Sequence, residues 1–523
     1  MGLRWSYFDK LDCSIVDQIK KNRNLPDSFF SFSMNDIPDI SLMKDIKKAS
    51  ERIIRAIHRK EKIIIYGHDD VDGITSAYIL FDFLEKIGSQ NHYYYIPNRL
   101  VDNHGMQENF INKVEKENFN LVITVDGGIS CSEAIEKLRN LGCDVIVTDH
   151  HIVQENKIPK GCAIVNPKQS DCDYPFDMLA GVGVTYFLIR NIAEILKSEI
   201  DSNYLFWVAV GTISDKVPLI GVNRIIVKET IKNWFDFDDA TLRKFDKYLW
   251  NADNCHKKIK IIQYIIKIFS NGRDLNGKNM GLELLLAPED EKTSIIDKLI
   301  SGQRKFKENL NKVMECYDKI KPESFDNHFV FFDSKNIIPV ELLGFFSARI
   351  SKQFLIPVVF LKEKGNIVAG EARCTKGFNL VESFCFCKQN LIQYGGHAKA
   401  AGFTIKKKNI NKFRKKFKEY IEMKKEIIED NRKIDIDAIF TIDEIDKFDD
   451  YLQLDIHNLQ PFGQGNPNPK FLLKNFIPKR DSRKIKVIDK NIILKPDESY
   501  NIIFNLKGSS FKLIDHRKVN YML

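Results

Sequence analysis

The chain has 523 residues, 43% hydrophobic and 29% charged, which is too long for one core and too apolar for a disordered polymer, so three or four folded domains are expected. No apolar run approaches the ~18 residues of a membrane span, Met1–Trp5 leads into charged residues without a secretory hydrophobic core, and the ten cysteines include no Cys-x-x-Cys pair. A cytoplasmic protein with reduced thiols and no membrane contact is therefore expected, and its formal charge of +9 matters only where basic residues cluster.

Residues 1–45 mix polar and aromatic residues and are broken by Pro26 and Pro38, as in an arm packed on the first domain. Apolar residues at Ile46, Ala49, Ile53, Ala56 and Ile57 have helical spacing and predict a helix that delivers the chain into the first strand. From there to about residue 225, the short apolar runs Ile63–Tyr66, Tyr93–Ile96, Leu121–Val125, Asp144–Thr148 and Ala163–Val165 alternate with helical stretches such as Ile74–Ile87 and Ser132–Asn140. That alternation predicts a doubly wound parallel sheet, an α/β domain spanning 46–225. Residues 226–320 have helical periodicity with one clear turn signal, Asn271-Gly272-Arg273, and read as a helical connector. A second, smaller α/β domain is expected over 321–430, including Asn327–Phe332, Pro357–Leu361, the glycine-rich Gly395-Gly396-His397 and a lysine-rich helix from Lys406 to about Lys425. Short alternating runs over 431–523, such as Ile485–Ile488 and Ile502–Phe504, suggest a small antiparallel barrel or sandwich.

Chemistry gathers at the ends of the first domain's strands. The run Ile63–Tyr66 ends in Gly67-His68-Asp69-Asp70-Val71-Asp72-Gly73; later strands end in Asp126 and in Asp149-His150-His151, and the apolar stretch Trp207–Ile213 leads to Asp215. One such Asp is usually a helix cap or a turn residue. Several carboxylates brought together repel one another, and divalent cations resolve that conflict. A set dominated by carboxylates with some imidazole suits manganese or magnesium better than zinc. If the first strand continues, Asp70 and Asp72 share a face and Asp69 points away. The ligands suffice for two cations sharing a bridging carboxylate, an arrangement that activates water for phosphoryl displacement; no serine, cysteine or lysine nucleophile is signalled nearby.

With these stretches in view, the sequence resembles the DHH phosphoesterases and, within them, the RecJ family of single-strand-specific exonucleases. The motifs are Gly67–Gly73, Val125-Asp126-Gly127-Gly128, Thr148-Asp149-His150-His151 and Gly211-Thr212-Ile213-Ser214-Asp215. Asn166-Pro167-Lys168, Leu179–Val184, Gly377–Leu380, Gly395–Gly402 and Leu459–Pro467 are also similar to stretches of that family, so the likeness covers nearly the whole chain. The resemblance implies a DHH catalytic domain, a DHH-associated domain and a C-terminal domain like an oligonucleotide-binding (OB) barrel. It implies two divalent cations, Mn2+ or Mg2+: one at His68, Asp70 and Asp126, the other at Asp72, Asp126, His150 and Asp215, with Asp126 bridging. Asp149 would orient the imidazoles and His151 would face the scissile phosphate or the leaving oxygen. Gly395, Gly396, His397 and Arg373 would grip the DNA backbone, with Arg273 as a further phosphate contact. Three residues depart from the pattern: His68 stands where aspartate is usual, Ser270–Arg273 matches its motif only in part, and Glu371 replaces a small residue.

The implied activity is 5′→3′ hydrolysis of single-stranded DNA to 5′-mononucleotides in repair and recombination, by a monomer whose partners would include a single-strand binding protein and a helicase. Lys479, Arg480, Arg483, Lys484 and Lys486 are candidates for tracking the strand in the C-terminal domain. Two alternatives stand beside this reading. A DHH phosphodiesterase of short oligonucleotides or cyclic dinucleotides would have little need of a C-terminal barrel, and a non-catalytic DHH scaffold in replication would be expected to have lost its metal ligands.

Overall fold

The computed structural model describes residues 4–7, 13–30, 33–98, 106–154, 157–245, 252–274, 278–320, 328–333, 338–339, 342–364, 367–430, 433–442, 444, 456, 458–481, 494–507 and 510–519. In chain order, β1 (Arg4–Ser6) and α1 (Ile15–Arg23) precede α2 (Ile46–His58). The first large sheet and its helices then follow as β2 (Ile63–Tyr66), α3 (Val71–Lys86), β3 (His92–Tyr95), α4 (Glu108–Glu117), β4 (Leu121–Val125), α5 (Ser132–Asn140), β5 (Asp144–Thr148) and β6 (Ala163–Val165).

All five strands of this sheet are parallel, in the order β3-β2-β4-β5-β6. Alternation along each strand separates two cores. Ile63, Ile65, Leu121, Ile123 and Val125 face α2, α3 and two later helices, α6 (Gly181–Leu196) and α7 (Tyr204–Asp215), whereas Ile64, Tyr66, Val122, Val145 and Val147 face α4 and α5. With both faces covered, these strands can be apolar throughout, which is why they read as continuous runs. The chain leaves β2 in one direction to form β3 and returns on the other side to form β4, so the order reverses between β2 and β4. Open α/β sheets bind ligands in the crevice at such a reversal, beyond the carboxyl ends of the strands.

The expected helical region contains α8 (Gly221–Lys232), α9 (Cys255–Asn271), α10 (Gly281–Leu286) and the 32-residue α11 (Glu289–Ile320). A second five-stranded sheet follows: β7 (Phe329–Asp333), α12 (Leu343–Phe354), β8 (Val358–Lys364), β9 (Ile367–Arg373), α13 (Leu380–Phe386), β10 (Leu391–His397), β11 (Ala400–Ile405) and α14 (Ile410–Met423). Its order is β10-β11-β9-β8-β7, and only β7 and β8 run parallel. Phe384 of α13 and Phe413 of α14 pack on Phe403 of β11, while Phe346 of α12 packs on Phe360 of β8 from the opposite side. The last strands, β12 (Lys433–Asp435), β13 (Ala438–Phe440), β14 (Lys470–Phe476), β15 (Tyr500–Lys507) and β16 (Ser510–Lys518), include a four-stranded sheet ordered β13-β14-β15-β16. Among the described residues it is open. The run Ile485–Ile488 and the basic candidates Arg483, Lys484 and Lys486 lie outside the described residues, whereas Lys479 and Arg480 lie on a short helical turn, Pro478–Asp481.

The N-terminal arm departs from expectation. Only its second half lies on the first domain, through Met34, Ile37, Ile40 and Met43. Its first half joins the C-terminal region: β1 and β12 form a separate two-stranded parallel sheet, Ile15 and Ile19 enter the core of the four-stranded sheet, and Arg23 binds both oxygens of Asp437 at 2.6 and 3.0 Å. An unpaired strand edge and a half-buried carboxylate at one place account for the capture, since both need partners.

Candidate metal centre and nucleic-acid interface

Beyond the β2 terminus the chain turns at once into a helix instead of continuing extended. Asp70 is the residue before α3 and caps it, its Oδ1 accepting from Gly73 N–H at 3.0 Å. Asp72 lies inside the helix and points elsewhere. The two therefore share no strand face: Asp70 sits with His68 and Asp126, and Asp72 with His150 and Asp215. Asp215 also differs from expectation. It is the last residue of the buried helix α7, so the acids come from three strand ends and one helix end.

Asp126 lies at the centre, in the left-handed region at φ 54°, a conformation that Asp tolerates better than most residues. Its Oδ2 is 3.8 Å from His68 Nδ1 and its Oδ1 is 3.2 Å from His150 Nε2. His68 Nδ1 is 2.9 Å from Asp70 Oδ2. His150 Nε2 lies 4.0 Å from Asp72 Oδ2 and 3.7 Å from Asp215 Oδ2. Helix α6 approaches this group end-on. Gly181 and Val182 N–H groups donate to Asp72 at 2.7 and 2.9 Å, setting a carboxylate at the positive end of the helix. The approach requires glycine: a Cβ on Gly181 would lie 2.6 Å from Asp126 Oδ1, and one on Gly211 of α7 would lie 2.9 Å from Asp72 Oδ1.

Asp149 is buried beside the group and fully engaged. Its Oδ1 accepts from His150 N–H (2.6 Å), His151 N–H (2.9 Å) and His151 Nδ1 (2.7 Å), and its Oδ2 accepts from Ile129 N–H (2.9 Å). Burial alone would raise this carboxyl, but the His151 hydrogen bond and the two imidazoles hold it well below the usual range. The same bond raises His151 against the opposing effect of burial. The other acids move the opposite way. Burial and then the Asp215 and Asp70 charges push Asp72 well above the ordinary carboxylate range. Burial and then Asp72 do the same to Asp126, and burial and then Asp70 lift Asp215 to about 6. Burial and the adjacent His151 lower His150 to about 3.

This donor set fits divalent cations. Four carboxylates repel one another in this crevice, with Lys168 and Lys216 offsetting the charge at Asp215 only in part, and neither ring nitrogen of the buried, neutral His150 has a hydrogen-bond partner. Hard oxygen donors with a few imidazoles suit Mg2+ or Mn2+. His151 also comes within reach of the Asp126–His150 pair, a proximity the sequence reading did not include.

The residues assigned to DNA lie on the second sheet. Gly395, Gly402 and Glu371 form one rung across β10, β11 and β9; Gly396, Ala401 and Ala372 form the next, and His397, Ala400 and Arg373 the last. Arg373 is held by Glu371, Nη1 to Oε2 at 3.0 Å, so the residue that departs from the family pattern is its partner. Arg273 does not join this surface. Its Nη1 donates to Asp69 Oδ2 at 2.8 Å, tying the turn after α9 to the loop between β2 and α3. An arginine beside a carboxylate that is only 1% exposed is drawn inward.

Comparison with known proteins agrees with this geometry. Residues 62–212 match the DHH family, N-terminal domain, and residues 329–423 match the DHHA1 domain. The chain is 31% identical over 465 residues to the single-stranded-DNA-specific exonuclease RecJ of Bacillus subtilis, covering 86% of this chain and 56% of that protein. It is similar to the RecJ exonucleases over most of its length. It thus spans little more than half of that Bacillus protein, but 69% of the length of the Escherichia coli RecJ, to which it is 25% identical over 72% of its own. Among solved structures, manganese-bound RecJ of Thermus thermophilus superposes with a TM-score of 0.75 at 21% identity, over 99% of this chain and 80% of that one. A second exonuclease RecJ bound to manganese gives a TM-score of 0.61 at 25% identity, over 73% of this chain and 95% of that one. The RecJ fold therefore extends over the whole chain.

Proposed function

We propose that this chain is a divalent-metal-dependent exonuclease that degrades single-stranded DNA from the 5′ end to 5′-mononucleotides, in repair and recombination. The observation that carries the proposal is the convergence of His68, Asp70, Asp72, Asp126, His150 and Asp215 on one crevice, with Asp126 between His68 and His150. His68, Asp70 and Asp126 would hold one cation, and Asp72, Asp126, His150 and Asp215 the other. Bound there, the pair supplies the Lewis-acid charge needed for water to attack a phosphodiester at neutral pH. Asp149 fixes His151 with Nδ1 protonated, so Nε2 would be the nitrogen that serves the departing 3′-oxygen, and the raised His151 keeps a proton to give it. Breaking the P–O3′ bond leaves phosphate on each 5′ end, including that of the shortened strand.

On the second sheet, the Gly395 and Gly396 rungs let a sugar–phosphate backbone approach closely, and Arg373 supplies positive charge. A cytoplasmic location and partnership with a single-strand binding protein and a helicase follow from the same reading; no helix among the described residues is long and apolar enough to cross a membrane. Digestion of oligonucleotides labelled at either end, single or double stranded, with Mn2+ or Mg2+, tests the proposal. Mononucleotides from the 5′ end of single strands support it. Cleavage confined to dinucleotides would indicate a small-substrate phosphodiesterase.

A further inference from the structure

Asp72 is fixed by two backbone N–H groups, whereas among the described residues the Asp215 carboxylate accepts no hydrogen bond and is 30% exposed. Its place is therefore set by the backbone behind it. The chain leaves α7 through Lys216 in the left-handed region, and residues 217–220 lead into α8. Two contacts hold this stretch. From inside, the buried Asn223 Nδ2 donates to Pro218 O (3.0 Å) and to Met178 O (2.6 Å), just ahead of Gly181 and its bond to Asp72. From outside comes a turn of the C-terminal region, where Gln464 O accepts from Leu219 N–H at 2.7 Å.

Two glycines make that approach possible. A Cβ on Gly463 would lie 2.6 Å from Leu219 Cδ1, and one on Gly465, at φ +74°, would lie 2.9 Å from Pro218 Cβ. Asn466 closes the turn on Leu459 O and Pro461 O, while its Oδ1 accepts from Arg23, which also clasps Asp437 next to β13. The turn is thus anchored to the C-terminal sheet and presses on the backbone that carries a metal ligand.

We propose that the Gly463–Gly465 turn is a positioning element for the cation site of Asp72, His150 and Asp215, and that it does not act on the site of His68, Asp70 and Asp126. The inference rests on reading these residues as two cation sites. It is tested by titrating the full chain with Mn2+ alone, free ion being followed by electron paramagnetic resonance, with circular dichroism to verify folding. Gly465→Ala is expected to weaken one of two binding events about 10-fold, the scale on which supporting residues tune metal affinity, and to leave the other unchanged. Gly463→Ala should have a smaller effect that Leu219→Ala relieves by removing the clashing methyl. Gly142→Ala, which imposes the same left-handed strain at φ +79° with nothing within 4 Å of the added carbon, should bind both ions as the parent does. In digestion of a single strand, Gly465→Ala should lower kcat with KM unchanged. Folded Gly465→Ala and Gly463→Ala proteins that bind both ions normally, or that lose both equally, would overturn the inference. A parent chain that binds no pair of ions would instead overturn the two-site reading. If Gly465→Ala fails to fold, Gly463→Ala and its Leu219 partner decide.

Discussion

The two five-stranded sheets of this chain solve different problems. In the parallel one the central strands β2 and β4 are buried on both faces, so the acids and imidazoles of the candidate site stand in the turns and helix ends beyond the strands. The mixed one lines the rungs across β9, β10 and β11 with glycine and alanine beside Arg373. Clustered acids need a cation before they can meet a phosphate, whereas small residues on a sheet give a polymer backbone room to lie close. On the proposed function, catalysis and grip should therefore be separable in this fold, and each should break without the other.

The largest separation is expected from Asp126→Ala. Loss of the bridging carboxylate should cut the rate by on the order of 10²–10³ or more, as for other preorganised electrostatic groups, while single-strand affinity measured by anisotropy changes little. Equal loss of both would show that the two regions are not independent.

Arg273→Ala tests which region that arginine serves. Removing the partner of the buried Asp69 should cost roughly 2–4 kcal/mol of stability, seen as a lower Tm, with affinity for DNA kept. Weakened binding at unchanged Tm would return Arg273 to the phosphate contacts.

Cations and pH should act chiefly through the acids beyond the parallel sheet. Burial and Asp70 lift Asp215 to about 6 against an ordinary 3.8, and Asp72 and Asp126 are raised as well; these three outweigh the one proton that His150, lowered to about 3, does not take up, so the folded state binds more protons than the unfolded one. Metal-free stability should therefore fall as pH rises from about 4 through 6. Divalent ions should reverse this, by about 2.7 kcal/mol per site at a hundredfold excess over Kd, and more at pH 8 than at pH 5.5, where protons compete. A calorimetric Tm insensitive to Mn2+ at pH 8 would contradict the account.

The smallest effects belong to the mixed sheet. Arg373→Ala should weaken single-strand binding about 5–10-fold and lower the slope of log affinity against log salt by about 0.7, the value of one phosphate contact on a single strand. Glu371→Gln, which releases Arg373 from its ion pair, should tighten binding a few-fold. Unaltered affinity in both variants would remove this face from the DNA path.

Much of the fold was legible because its periodicities are strong. Four of the five parallel strands were readable to the residue, since continuous apolar runs mark strands buried on both faces. His68, Asp126 and Asp149–His151 could be picked out because each stands where such a run stops. Less legible were features set by tertiary contact. Asp215 ends a helix, α7, that is apolar on every side from Tyr204 to Val210, which a short window cannot tell from a strand. The abrupt entry into α3 separated Asp70 from Asp72; the Asp-x-x-Gly spacing of an N-cap was a signal for it. Gly181 and Val182, which hold Asp72 through backbone N–H groups, and Asn223, which ties two loops together, have no local pattern that reveals them. The pairing of β1 with β12 joins segments more than 400 residues apart, beyond the reach of any periodicity.

Anomalous diffraction from crystals soaked in Mn2+ tests the central claim most directly. Two peaks about 3.5–4 Å apart are expected, one against His68 and Asp70, the other against Asp72, His150 and Asp215, with Asp126 touching both. A crevice without manganese at saturating concentration, or a lone ion that Asp126 does not contact, would contradict it.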